Sequence, residues 1–131
     1  MKFKNSKVVI VGAGNVGSTT AYSIINQGLC EEIVLIDVNK EKAYGEALDM
    51  QHAIHFMNRN ITIHAGDYEE CKDASIVVIT AGVTMKEGES RLDIAAKDTM
   101  ILKSVTENIM KSGFDGIIVV ASNPVDSMTY V

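Results

Sequence analysis

The chain has 131 residues, 47% of them hydrophobic and 22% charged, and its formal net charge is -5. This length and composition predict one globular domain with its own core and exclude a disordered chain. The acidic balance, without any cluster of lysines and arginines, argues against a surface that binds nucleic acid. The apolar runs are too short to cross a membrane.

Cys30 and Cys71 are predicted to be free thiols, because a domain with an adequate core needs no disulfide. The first apolar stretch breaks at Gly12, which is too early for the hydrophobic region of a secretory leader. Both observations predict a reduced protein of the cytoplasm.

Apolar, β-branched runs alternate with helical patterns along the chain. The predicted strands are residues 7–11, 33–36, 61–64, 75–81 and 116–121, and the predicted helices are residues 15–27, 40–55 and 92–112. Asn15 is predicted to cap the first helix, and the fifth strand is expected to be buried. Residues 58–73 leave open whether a helix follows the third strand. The order predicts a three-layer α/β fold, doubly wound around a parallel sheet with strand order 3-2-1-4-5.

Residues 12–17 read Gly-Ala-Gly-Asn-Val-Gly, and they join the first predicted strand to the first predicted helix. Gly12 permits a tight turn, Gly14 lets the backbone approach a pyrophosphate, and Gly17 allows close packing of helix and strand. The free amides at the helix start, including that of Asn15, favour negative charge. This context is typical of a Rossmann-type dinucleotide-binding domain, and the alternative is a glycine-rich turn without a ligand.

Asp37 ends the second predicted strand, about 20 residues beyond the glycine motif, where a carboxylate can accept hydrogen bonds from ribose hydroxyls. Because a carboxylate repels a 2′-phosphate, the predicted cofactor is NAD rather than NADP. Alternatively, Asp37 only forms a turn with Asn39.

Small and polar residues also close the next two strands. Thr80, Ala81 and Gly82 end the fourth strand, and Ser122 and Asn123 end the fifth. Ligands of open parallel sheets bind beyond the carboxyl ends of the strands, where the strand order reverses. These strand ends are therefore predicted to form one crevice that holds a dinucleotide.

Residues 82–91 form a long connection with glycines near both ends, which predicts a lid over this crevice. Arg91 stands where the loop becomes the third helix. A guanidinium there can polarise a substrate carbonyl, or else it is solvated and paired with Glu89 or Asp93.

Six motifs in this order resemble the L-lactate/L-malate dehydrogenase family, nearest to its bacterial L-lactate dehydrogenases. They are the glycine-rich segment, Asp37, the pattern Gly45-x-Ala47-x-Asp49-x-x-His52, residues 80–82, Gly-Glu-Ser-Arg-Leu-Asp at 88–93 and Ala-Ser-Asn-Pro-Val-Asp at 121–126. The resemblance covers the whole chain. It implies an NAD-binding domain over residues 1–131 and an oxidoreductase of glycolysis or fermentation that reduces pyruvate with NADH to lactate and NAD.

The resemblance also implies roles for single residues. Arg91 would polarise the 2-oxo group, Asn123 would bond the substrate near the nicotinamide, and Met85 and Asp126 would belong to the substrate site. The implied cofactor contacts are Val16, Asp37, Lys42, Tyr68, Thr80, Ala81, Gly82, Val83, Ser104, Ala121, Ser122 and Asn123.

Met85 departs from the family pattern, which has Gln at this loop position in lactate dehydrogenases and Arg in malate dehydrogenases. Arg pairs with the second carboxylate of malate through two hydrogen bonds, which Met cannot do, so malate and oxaloacetate are disfavoured. Because Met is more apolar than Gln, longer apolar 2-hydroxy acids are an alternative substrate class. Glu87 stands where many relatives have Pro and is expected to leave the lid more mobile.

The family's catalytic His–Asp pair and its second Arg would follow residue 131. Reversible oxidation of a hydroxyl needs a general base, so the chain is expected to be the N-terminal, cofactor-binding half of an enzyme, without its catalytic domain and inactive alone. His52 and His55 have a spacing that suits zinc but lack further ligands, so no metal site is predicted. The alternative function is a stand-alone NAD-binding module without catalysis. The family also implies a homodimer or homotetramer, formed partly through the second helix.

Overall fold

A computed structural model of the chain describes residues 6–131, so the first five residues of the predicted domain 1–131 lie outside the described part. The elements in chain order are β1 (Lys7–Val11), α1 (Asn15–Gln27), β2 (Glu32–Ile36), α2 (Lys40–Ile54), β3 (Thr62–Ala65), a 3-10 helix (Tyr68–Asp73), β4 (Ile76–Ile79), α3 (Arg91–Lys111), β5 (Ile117–Val120) and α4 (Val125–Tyr130). Within the segment that the sequence left open, a short 3-10 helix, and no α-helix, follows β3. No helix in the described part has the length and apolarity of a membrane span.

The five strands form one parallel sheet in the order β3-β2-β1-β4-β5. At its centre, Val9 of β1 is in register with Val34 of β2 and Val77 of β4. The chain first runs outward from β1 to β3 and then returns to the other side of β1 for β4 and β5. This confirms the predicted doubly wound, Rossmann-type sheet and places its reversal point between β1 and β4.

Strand residues alternate between two hydrophobic cores, because successive side chains point to opposite faces of a sheet. Ile10 and Leu35 pack on one face with residues of α1 and α2, among them Ala47. Val9 and Val77 pack on the other face with residues of α3, α4 and the 3-10 helix. The molecule therefore has the three layers that the sequence predicts.

The two cysteines are free and buried, as predicted, and they belong to different cores. Burial raises the pKa of both thiols, that of Cys71 to about 11. Both side chains therefore act as small apolar core residues rather than as nucleophiles.

Two expectations about element ends and burial are wrong. Gly14, not Asn15, is the N-cap of α1, and no side chain caps this helix. β5 was expected to be buried, yet Ile117, Ile118 and Val119 are 55%, 36% and 44% exposed. β5 is the edge strand beside β4, so its outer side has no neighbour among residues 6–131.

Lys7 is a charged residue inside the sheet, only 4% exposed at the start of β1. Its ammonium donates to Oε2 of Glu70 at 2.6 Å and to Oδ1 of Asp73 at 2.8 Å. Burial disfavours the charged form, but the hydrogen bonds to Asp73 and Glu70 outweigh it and the pKa of Lys7 is raised. Because both partners lie in the 3-10 helix, this pairing fastens the link between β3 and β4 to β1.

Replacing Lys7 by Met removes this charge but keeps the length of the side chain. We expect Lys7→Met to lower the free energy of unfolding by about 1–3 kcal/mol, because the hydrogen bonds from the buried ammonium to two carboxylates are lost. The loss is limited because both carboxylates remain accessible to water. Urea denaturation measures the difference. Lys103→Met, at an exposed position of α3, is the control and should change stability by less than about 0.5 kcal/mol. Equal losses in the two variants would contradict a stabilising role for Lys7.

Candidate functional site

Two adjoining cavities lie beyond the carboxyl ends of the strands, at the reversal point of the sheet. One has a volume of about 530 Å³ and lies on the β2 side. The other has about 420 Å³ and lies on the β5 side. We call them the β2-side cavity and the β5-side cavity. They share the wall residues Gly14, Thr80, Ala81, Gly82, Val83 and Thr84.

The glycine segment is the floor between the two cavities. Gly12 has φ +108°, a left-handed conformation that favours glycine, and its amide donates to the Ile36 carbonyl at 2.7 Å. A Cβ on Gly17 would lie 1.7 Å from the carbonyl oxygen of Gly12, whereas a Cβ on Gly14 would meet no heavy atom within 4 Å. Gly12 and Gly17 thus serve the turn and the packing, and Gly14 leaves open space above the helix start.

The start of α1 is electrostatically suited to an anion. The first amides of a helix have no partner within the helix, and here no side chain caps them. The first turn also has no acidic residue that would neutralise the positive end of the helix dipole. Together with the open space at Gly14, this arrangement can bind a phosphate group.

Asp37 follows β2 and lines the β2-side cavity. Its Oδ2 accepts a hydrogen bond from the amide of Ala13 at 2.8 Å, and its Oδ1 accepts one from the amide of Asn39 at 2.8 Å. The turn with Asn39 therefore exists, but Asp37 also fastens the glycine segment to β2. Each carboxylate oxygen can accept a second hydrogen bond, so both roles are compatible with a ribose contact.

Most of the predicted site residues lie in these cavities. Lys42 and Tyr68 line the β2-side cavity, and partial burial raises the pKa of Tyr68. The β5-side cavity is lined by Asn15, Val16, Gly17, Met85, Ala121, Ser122 and Asn123 in addition to the shared wall. The Ser122 hydroxyl donates to the Ala81 carbonyl at 2.7 Å and so joins the ends of β4 and β5.

Three predicted residues line neither cavity, namely Arg91, Ser104 and Asp126. Ser104 and Asp126 are exposed, on α3 and α4 respectively. Arg91 is the exposed first residue of α3 and forms no ion pair with Glu89 or Asp93. Within residues 6–131 its guanidinium is therefore available for a ligand.

The predicted lid, residues 82–91, is attached to α3 through residues near the C-terminal end of the lid. Glu89 pairs with Lys97, and its other oxygen accepts the amide of Lys86 at 3.0 Å. Ser90 and Asp93 form a capping box that fixes the start of α3 at Arg91. Glu89 and Asp93, the two acids that the sequence placed near Arg91, therefore both have other partners. Met85, in the middle of the loop, is 59% exposed and faces the β5-side cavity.

Asp98 is a site residue that the sequence analysis missed. It is buried on α3, lines the β5-side cavity, and its Oδ1 accepts the amide of Val83 at 2.9 Å. The signal was present, because a charged residue stands between Ile94 and Leu102 on the apolar stripe of a helix.

Glu32, His64 and Glu70 bring ligand atoms within 4.8 Å of one another, away from both cavities. The Glu70 carboxylate already accepts Lys7, and the Glu32 carboxylate lies 3.0 Å from Nε2 of His64. Partial burial disfavours the charged imidazole, but the hydrogen bond to Glu32 outweighs it and raises the pKa of His64. We interpret the group as an ion-pair cluster that joins β2, β3 and the 3-10 helix. His52 and His55, the pair whose spacing suits zinc, are both exposed.

A parallel sheet with a glycine segment and an uncapped helix at its reversal point defines a dinucleotide-binding α/β domain. The family model for the NAD-binding domain of lactate/malate dehydrogenase matches residues 6–131. The chain belongs to the lactate/malate dehydrogenase family and contains its NAD-binding domain.

Relatives of both branches share this domain. L-lactate dehydrogenase 2 of Enterococcus faecalis is 53% identical over 131 residues, which are 100% of this chain and 41% of that protein. The ligand-bound crystal structure of minor L-lactate dehydrogenase from Enterococcus mundtii has a TM-score of 0.94 at 52% identity and is matched over 96% of this chain and 40% of that one. Malate dehydrogenase of Archaeoglobus fulgidus in complex with NADH has a TM-score of 0.88 at 38% identity, over 95% and 42% of the two chains. The chain thus spans about two fifths of the length of these relatives.

The different surroundings of Gly17 and Gly14 predict opposite effects of adding one methyl group. Gly17→Ala should lower the free energy of unfolding by about 3 kcal/mol or more, because the methyl group collides with backbone. Gly14→Ala should change stability by less than about 1 kcal/mol but weaken NADH binding about tenfold, because its methyl group occupies the ligand space. Denaturation and calorimetry on the full-length protein measure the two effects. A Gly17→Ala variant as stable as wild type would refute the packing role.

Proposed function

We propose that the protein is an NAD-dependent L-2-hydroxy-acid dehydrogenase that interconverts pyruvate and L-lactate. The observation that carries this proposal is the pair of cavities joined across the glycine segment, with Met85 in the wall of the second one. The names of the Enterococcus relatives support the same reaction.

The described residues fit a dinucleotide. The adenosine half would lie in the β2-side cavity near Asp37, Lys42 and Tyr68. The pyrophosphate would lie over Gly14, and the nicotinamide would lie in the β5-side cavity near Asn123. Bound NAD supplies the hydride-transfer chemistry that no amino-acid side chain can perform.

Two side chains of this chain are proposed to act on the substrate. The unpaired guanidinium of Arg91 would polarise the 2-oxo group and stabilise the negative charge that develops on its oxygen. The side-chain amide of Asn123 would orient the same substrate at the cavity wall. The proton donor and the group that grips the substrate carboxylate would come from a catalytic domain outside residues 1–131.

The assembly and compartment are part of the same proposal. Exposed aromatic side chains on and just after α2, Tyr44 and Phe56, are consistent with a homo-oligomer formed partly through this helix. Two buried free thiols are consistent with the reducing cytoplasm.

The preference for NAD over NADP is expected to depend on the charge of Asp37. In the double variant Asp37→Ser, Val38→Arg, the repelling carboxylate is lost and a partner for the 2′-phosphate is gained. We expect the ratio of the Kd for NADPH to the Kd for NADH to fall about tenfold or more. Val38 is fully exposed, so Val38→Arg alone is the control and should change this ratio much less. Wild-type protein that binds both cofactors equally would contradict the role of Asp37.

Met85 is expected to select the substrate side chain in the full-length enzyme. Met85→Arg should raise kcat/KM for oxaloacetate relative to pyruvate by about 100-fold, because a guanidinium would meet the second carboxylate in a closed site. Met85→Gln should favour pyruvate over longer 2-oxo acids by a smaller factor, about tenfold. Lys86→Gln, at the next residue, which does not line the cavity, should leave both ratios unchanged.

The same assays test the proposed reaction. Full-length protein that binds NADH but does not oxidise it with pyruvate or any longer 2-oxo acid would be a binding module rather than this dehydrogenase. An unchanged oxaloacetate-to-pyruvate ratio in Met85→Arg would show that Met85 does not face the substrate.

A further inference from the structure

Asp98 is the only ionisable side chain among the residues that line the β5-side cavity. It is 8% exposed and lies on the apolar stripe of α3, between Ile94 and Leu102. The remaining lining residues are neutral: Gly14, Asn15, Val16, Gly17, Thr80, Ala81, Gly82, Val83, Thr84, Met85, Ile94, Ala121, Ser122 and Asn123. Within residues 6–131, Asp98 is therefore an acid in the cavity wall without a cationic neighbour in that wall.

The protein contacts of Asp98 do not neutralise it. Its Oδ1 accepts the amide of Val83 at 2.9 Å, and no Lys, Arg or His within residues 6–131 forms an ion pair with it. The neighbouring Lys97 is directed to Glu89 instead. A nearby positive charge stabilises a carboxylate at a buried position more than it would stabilise a neutral amide side chain that accepts the same hydrogen bond.

Residues 6–131 do not supply such a charge to the cavity wall, whereas a ligand that enters the cavity can carry one. The 2-oxo or 2-hydroxy acid substrate and the pyrophosphate are both anions, so neither can be the partner. The nicotinamide ring is neutral in NADH and carries a positive charge in NAD+. This step rests on the proposed function, which places the nicotinamide in the β5-side cavity.

We propose that Asp98 is the counter-charge of the oxidised nicotinamide ring and thereby sets the relative affinity of the protein for NAD+ and NADH. The carboxylate stabilises the ring only in its cationic form, so it strengthens NAD+ binding relative to NADH binding. Repulsion between Asp98 and the pyrophosphate is the same for both forms and cancels in the ratio of their dissociation constants. Asp98 acts on the cofactor through its charge, and its hydrogen bond to Val83 holds that charge in place.

The test is the ratio of the Kd for NAD+ to the Kd for NADH, measured by calorimetry on the full-length protein. Asp98→Asn removes the charge and keeps an oxygen that can accept the Val83 amide. We expect it to raise the ratio about threefold or more while the affinity for ADP-ribose, which lacks the nicotinamide, is unchanged or improved. Asp98→Ser is a second neutral variant, in case Asn does not fold there, and should shift the ratio in the same direction.

Glu107→Gln is the matched control, because it removes the same charge from an exposed position of the same helix. It should leave the ratio unchanged. If the neutral variants at position 98 change both dissociation constants by the same factor, Asp98 only positions Val83 and the proposal is wrong. If wild-type protein binds neither nucleotide, the proposed function fails as well, so the two failures are distinguishable.

Discussion

The whole cleft depends on how closely α1 approaches the ends of β1 and β4. The carbonyl oxygen of Gly12 lies where a Cβ of Gly17 would be, so only glycine permits this approach. The Thr80 hydroxyl, just after β4, donates to the carbonyls of Val11 at 3.2 Å and Gly12 at 3.0 Å. The start of α1 is thereby held at the reversal point of the sheet. Gly14, the N-cap of α1, consequently lines both cavities.

The fold could be predicted from the sequence because its signals are local and repeated. β-branched runs separated by helical patterns give the strands, and their alternation with helices gives the strand order. The exposure of β5 could not be predicted in the same way. Ile117 and Val119 have the composition of a buried strand, but burial depends on whether another element covers the edge of the sheet. Periodicity does not contain that information.

Cavity-lining residues could be predicted where a backbone motif marks them, as at Gly14, whereas Asp98 was missed because its side chain acts across the fold. The bond from Asp98 to Val83 joins α3 to the loop after β4, and no spacing rule relates these two positions. The prediction that Asn15 caps α1 failed for a different reason. Asn is a good capping residue, but Gly14 already has the extended conformation of an N-cap, so Asn15 enters the first turn.

The surroundings of Arg91 show how local competition leaves its guanidinium without an ion pair among residues 6–131. Glu89 and Asp93 are both close enough to Arg91 in sequence to pair with it. In the structure, neither acid forms an ion pair with Arg91. The Lys97 ammonium lowers the pKa of Glu89, and the hydrogen bonds from Ser90 lower the pKa of Asp93. Each acid thus has a partner that also fixes the loop or the start of α3. The same contacts that fix the end of the loop 82–91 therefore keep Glu89 and Asp93 from forming an ion pair with Arg91.

The charges of the cleft have a consequence for how an anionic dinucleotide is held. Among the described residues, Lys42 is the only cationic side chain that lines either cavity, whereas Asp37 lines the β2-side cavity and Asp98 lines the β5-side cavity. Among residues 6–131, the uncapped backbone amides at the start of α1 are therefore the main groups expected to attract a pyrophosphate. That attraction falls off within about one helical turn, so it acts on a phosphate that already lies over Gly14 and not on ions in solution. In the two proposals made above, the carboxylates would discriminate among bound ligands, Asp37 against a 2′-phosphate and Asp98 between the two charge states of the nicotinamide. These proposals assign the affinity for the dinucleotide to backbone amides and the selectivity among ligands to acidic side chains.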